Sequence, residues 1–301
     1  MFLKTPRAST DQRVRSLLQK AARRGYQNIV ELAFTHLNRT GDKTWLRSRA
    51  IVITFEESWP LAESLKVHQE ASSKLSALLS VTTHSKQKDA AGLGALAYAY
   101  QEGDRSMLDC IPDQRMLKIV SEAMRRPAAF FDWVLGRSTG PPSTDVVLRA
   151  KQYLAAATWQ WDKACILAGA LLATEKSIPV LQSTDIPSGD FPYWVALDKH
   201  TPEGKVALRE VAREVKSSYR QIIWSSFYCE SARVNQLLLS PWWDAEKSWR
   251  LRKAGLSLDS AEELWSRART VLSKRLESEA NSLEEVLNAD RSTNPTPTLW
   301  K

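Results

Sequence analysis

Lys205, Arg209, Arg213, Lys216 and Arg220 follow one another at intervals of 4, 4, 3 and 4 residues. On a helix that repeat places all five cations on one stripe, with Leu208, Val211, Val215, Tyr219 and Ile222 on the opposite, core-facing side. Aligned like charges repel, so the stripe calls for an anionic counterpart. A nucleic acid would serve, because each phosphate neutralised by Lys or Arg releases counterions. The carboxylates of a neighbouring helix would also serve. Glu210 and Glu214 flank the stripe and dilute its field.

A second cationic group lies at the N-terminus. Residues 1–25 hold Lys4, Arg7, Arg13, Arg15, Lys20, Arg23 and Arg24 against Asp11 alone, so seven minus one gives +6 of the chain's net +8. Arg13, Lys20 and Arg24 fall near one helical face with Arg23 beside them. The expectation is a basic helix that meets an anionic partner first; a solvated helix surface is the alternative. Two aromatic features suggest protein contacts. Most of the twelve Trp, among them Trp45, Trp59, Trp159 and Trp224, fit apolar helical faces. The adjacent indoles of Trp242 and Trp243 are expected not to share one core, leaving one exposed or at a partner interface, where a base could also stack on it; packing beneath a loop is the competing expectation. Leu299 and Trp300, in the terminal PTPTLWK, read as a linear motif for a groove on a partner, or as a tail folded back on the body.

Catalytic signatures are missing. There is no GxxxxGK[ST] phosphate cradle, no GxGxxG after a strand and no GxSxG. The four His, at 36, 68, 84 and 200, are scattered, and His36 lies on an apolar face. Cys110, Cys165 and Cys229 form no CxxC pair and fit a reducing cytoplasm. The reading is therefore a protein that is not an enzyme, with no catalytic residue, cofactor or metal. An enzyme using Glu56, Glu57 or His200 is the minor alternative, with Glu56 and Glu57 otherwise pairing Arg47 or Arg49. No segment approaches the ~18 consecutive apolar residues of a membrane span, and the N-terminus lacks a signal-peptide core. A cytoplasmic protein without a membrane partner is expected.

The elements that would position these residues are helical. Gly is scarce, at 11 of 301 residues, and apolar residues recur at helical period. Helices are predicted over 13–25, 28–38, 43–59, 65–79, 88–101, 113–125, 127–136, 145–174 (one or two), 203–219, 221–239, 244–254 and 258–287. The run Ala50-Ile51-Val52-Ile53-Thr54-Phe55 is apolar nearly all round, which marks a central helix, with a buried strand as the competitor. Small residues at 90–95 would let a second helix approach closely. The fold class expected is an all-α, multi-helix bundle of roughly a dozen helices. A Gly- and Pro-rich linker at 138–144 would divide a domain over 1–137, bearing the basic N-terminal helix, from a second helical subdomain over 145–290, with a flexible tail at 291–301.

The run SLLQKAARRGYQNIVELAFTHLNRTGDKTWLRSRAIVITFEESWPLAESL, Ser16–Leu65, resembles the C-terminal collar region of RarA/MgsA-type AAA+ ATPases, relatives of clamp loaders. The matching positions are Leu46, Arg47, Arg49, Ala50, Ile53, Glu56, Glu57 and Ala62. Glu56-Glu57 stands where the family has Glu-Asp, and Trp59 replaces its Gly. The later run Asp198–Lys205 (DKHTPEGK) looks like a further motif of related helical domains. The resemblance implies a collar-like N-terminal half, self-association or docking onto a partner, and a replication or repair setting. The ATPase module is absent, so ATP hydrolysis is not carried over. Together these readings predict an accessory protein of DNA replication, repair or mobile-element maintenance that binds DNA through basic helices and forms a homo-oligomer or joins a protein partner such as a separate ATPase. The competing reading is a protein–protein adaptor of a nucleoprotein or defence complex without DNA contact.

Overall fold

Apolar spacing at helical period becomes fourteen α-helices among the described residues, which in this computed structural model are 12–65, 70–138 and 140–293. In order they are α1 (Gln12–Arg24), α2 (Gln27–Arg39), α3 (Lys43–Ser58), α4 (Ala71–Thr83), α5 (Asp89–Gln101), α6 (Gln114–Ala123), α7 (Pro127–Leu135), α8 (Ser143–Tyr153), α9 (Gln160–Glu175), α10 (Pro202–Glu214), α11 (Tyr219–Ser226), α12 (Pro241–Lys253), α13 (Leu258–Arg275) and α14 (Glu277–Thr293). The fold is all-α. Ala50–Phe55 lies inside α3 and is buried, as a helix apolar all round must be.

The centre of the molecule is α5. Its glycines admit a neighbour on each side: a Cβ on Gly92 would fall 2.3 Å from the backbone of Trp242 in α12, and one on Gly94 would fall 2.6 Å from the Cys165 nitrogen in α9. The expected close approach therefore occurs twice. It also corrects the domain division. α5 belongs to the expected first domain and α9 and α12 to the second, yet one cluster of buried apolar side chains runs from Val14 to Leu287. The described residues on either side of position 139 are tied down as well: the Ser143 hydroxyl donates to the Ala173 carbonyl at 2.6 Å, and Ser138 bonds Thr144 at 2.8 Å. They belong to the same packed body as the helices they join.

Three predicted helices are broken where no Pro or Gly marks the break. The 203–219 helix stops at Glu214, and Lys216 takes a left-handed φ of 54°. Ser218 then caps α11 reciprocally with Gln221. The 221–239 helix passes into a π-helical turn, Phe227–Ser231, and ends. The 258–287 helix divides at Leu276.

Residues 84–87 join the irregular segments. Ser85 N donates to Gln182 O, Lys86 N to Gln236 O and Gln87 N to Glu57 O, at 2.8, 2.6 and 2.9 Å. The bridges are isolated; no strand forms among the described residues. No described helix is long and apolar enough to cross a membrane.

Candidate functional site

The last turn of α1 is cationic, and the structure turns it inward. Lys20, Arg23 and Arg24, expected as solvent-facing contacts to an anionic partner, are all buried. Lys20 pairs with Asp198 at 2.9 Å, Arg23 with Glu57 at 2.6 Å and Glu56 at 3.1 Å, and Arg24 with Glu230 at 2.8 Å. Arg23 and Arg24 also donate to the carbonyls of Ser231 and Glu230, at 2.7 and 2.6 Å, which fastens α1 to the π-helical turn. These three residues are corrected from ligand contacts to internal ties. Arg13 is half-buried and has a partner of its own.

Glu57 is the hub of this interior network. It accepts from Arg23 and, at 2.7 Å, from the fully buried Lys88. Burial pushes its carboxyl up, but Arg23 and Lys88 outweigh that and bring it down to about 2. Glu56 pairs with Arg49, as expected, and Arg49 continues to Asp162 at 3.0 Å. Arg47 takes no place in the network; Arg23 and Lys88 fill that role for Glu57. Asp198 behaves similarly: burial would raise it, while Lys20 and His200 hold it well below the usual carboxylate range. His200 is largely exposed, with Nδ1 on Asp198 at 3.1 Å. Beside it, burial lowers Lys199 to about 7, its Nζ lying 3.8 Å from the ring centroids of both Trp224 and Phe227. No three His, Cys, Asp or Glu side chains gather as metal ligands among the described residues.

The 198–205 motif has a structural reading. Asp198 anchors Lys20. Thr201 caps α10 by accepting from Gly204 N at 3.1 Å, and Gly204 has no room for a Cβ, which would lie 2.1 Å from the Asp198 carbonyl oxygen. The motif thereby fixes the start of α10 against α1.

From that start α10 projects Lys205, Arg209 and Arg213 into solvent along one flank, while Gly204, Ala207, Leu208, Val211 and Ala212 are buried. Lys216 in the turn and Arg220 in the first turn of α11 are exposed too. The single stripe on one helix is thus corrected to a ridge across two helices and a turn. Among the described residues no carboxylate pairs with any of the five; Arg209 lies 5.1 Å over the Tyr219 ring. Glu210 and Glu214 face the other way. Arg275 of α13 holds them with one arm each, at 2.9 and 2.5 Å. Sequence reasoning missed this clamp because 61 and 65 residues separate its members.

Trp242 and Trp243 are both buried, correcting the expectation that one is exposed. Trp242 packs its backbone on Gly92, and Trp243 lies between Tyr228, 5.7 Å away, and Lys88, 4.5 Å over its ring. A helix entered by other elements from two sides can bury consecutive side chains. Trp159, expected in the core, is instead exposed at the start of α9. Leu299 and Trp300 lie outside the described residues. No protein-family profile, curated protein or solved structure matches the chain.

Proposed function

We propose that this chain is a non-enzymatic accessory protein of DNA replication, repair or mobile-element maintenance. In this reading it acts in the cytoplasm, grips DNA through the α10–α11 ridge and assembles with itself or a partner ATPase. One observation carries the reading: Lys205, Arg209, Arg213, Lys216 and Arg220 are exposed and, among the described residues, unmatched by carboxylates, while Glu210 and Glu214 on the same helix are occupied by Arg275. A solvent-facing cationic ridge that the fold does not neutralise suits a polyphosphate backbone. The likeness of Ser16–Leu65 to clamp-loader-type collars supports the replication setting and the assembly. The buried ends of α1 take no part in DNA contact.

The test is fluorescence anisotropy of a labelled DNA duplex at rising salt. Each phosphate contact contributes roughly 0.9 to the slope of log affinity against log salt. Five contacts predict a slope of about −4 to −5. Replacing Lys205, Arg209, Arg213 and Lys216 with Glu is expected to abolish measurable binding. Absence of wild-type binding even at low salt would remove the reading.

A second reading, an adaptor without DNA contact, has its own observation. Val180, Ile186 and Leu239 are 87%, 80% and 83% exposed, on the two segments that flank residues 84–87. Exposed aliphatic side chains on segments that both pair with residues 84–87 suit a protein contact. A stable protein complex in light scattering that retains no nucleic acid favours this reading.

A further inference from the structure

α10 carries two charged flanks, and the whole field of the ridge depends on keeping them apart. On one side are Lys205, Arg209 and Arg213; on the other, Glu210 and Glu214. Glu210 lies three residues before Arg213, the spacing at which side chains on a helix meet. Left free, Glu210 would pair with Arg213 and remove a cation from the middle of the ridge. Glu214 sits in the last turn of α10, where the negative end of the helix dipole disfavours a carboxylate. Arg275 removes both difficulties at once, its Nη1 bonding Glu210 Oε2 and its Nη2 bonding Glu214 Oε2. Arg suits this task, since its planar fork bonds two carboxylates in fixed geometry where Lys offers a single point charge.

We infer that Arg275 is a positioning residue for nucleic-acid binding: by drawing Glu210 and Glu214 toward α13, it keeps Arg213 and its neighbours free for phosphates. The inference rests on the DNA-binding reading above and assigns a role to a residue outside the ridge. Arg275 need not touch the ligand. Its stability contribution is small, because exposed ion pairs are worth about 0–1 kcal/mol, so variants at this position fold.

The experiment measures duplex affinity and salt slope by anisotropy for Arg275→Gln, with Lys274→Gln as the control that removes one charge from the same turn of α13. Arg275→Gln is expected to weaken binding at low salt by about tenfold more than Lys274→Gln and to lower the salt slope by about one contact. Adding Glu210→Gln to Arg275→Gln should return affinity and slope to the Lys274→Gln level. Arg275→Lys, which keeps the charge and loses the fork, should fall between. A merely structural role would move the melting temperature and leave the Glu210→Gln rescue without effect. Equal affinities for Arg275→Gln and Lys274→Gln, or no rescue, overturn the inference while leaving the DNA-binding reading in place. A wild-type protein that does not bind the duplex overturns that reading, and this inference with it.

Discussion

Glu57 has no solvent-exposed surface, and its charge is sustained by Arg23 Nε and Nη2 and by Lys88 Nζ. Glu57→Gln would leave two buried cations short of a counter-charge, a loss of about 3–5 kcal/mol, read as a lower urea midpoint with unchanged m. The pH dependence has a definite sign. The folded value of about 2 lies below the ordinary 4.5, so the folded state binds fewer protons than the unfolded chain between them. The stabilisation is complete above about pH 4.5 and is lost as pH falls toward 2. Wild type should lose stability through that window more steeply than Glu57→Gln; equal slopes would show that Glu57 is not the hub. The Glu56-Glu57 pair and an Arg49 partner were legible in the sequence, because Arg49 and Glu56 lie on one helix. Arg23 was not, because it comes from 34 positions away on another helix. Spacing identifies which side chains share a face; it does not say whether that face meets water or the helix that carries the acids.

Helices with a one-sided apolar stripe, such as α1, α2 and α6, were legible to within a few residues because their period alone specifies them. The breaks were not. Lys216 adopts φ 54° without being Gly, and the chain restarts on a Ser218–Gln221 capping box. That Ser-x-x-Gln is the one local signal that could have ended the predicted helix there. The small-residue run in α5 was read correctly as a close approach, and it yields a prediction at this scale. Gly92→Ala places a methyl 2.3 Å from the Trp242 backbone, which has no flexible end to yield. Overpacking of this kind costs about 1–3 kcal/mol, more than the ~1 kcal/mol that Ala returns over Gly in a helix. Gly92→Ala should therefore lower the melting temperature, although helix propensity alone predicts a rise. A rise would mean that α12 can move away from α5 at little cost.

Across the whole molecule, charge summed along the sequence misplaces the field. The N-terminal 25 residues hold +6 of the net +8, yet Arg15, Lys20, Arg23 and Arg24 are each matched by an acid from elsewhere in the chain: Asp42, Asp198, Glu57 and Glu230. All four ties join α1 to residues beyond 40 and two reach past residue 190, so two of the pairs that silence the basic end also bind the two expected domains into one body. The apolar core makes the same connection, with α5 between α9 and α12. A fragment of residues 1–137 would then expose the Gly92 and Gly94 faces of α5 and leave Lys20 and Arg24 without Asp198 and Glu230. It is expected to lack a cooperative melt by circular dichroism, while the full chain unfolds in a single transition by every probe. A fragment that melts cooperatively would restore the boundary at 138–144. The consequence for function is spatial: once the interior pairs are accounted for, the α10–α11 ridge is a surface on which cations stand without matching acids among the described residues, and it lies on the half of the chain that the bare charge count leaves nearly neutral.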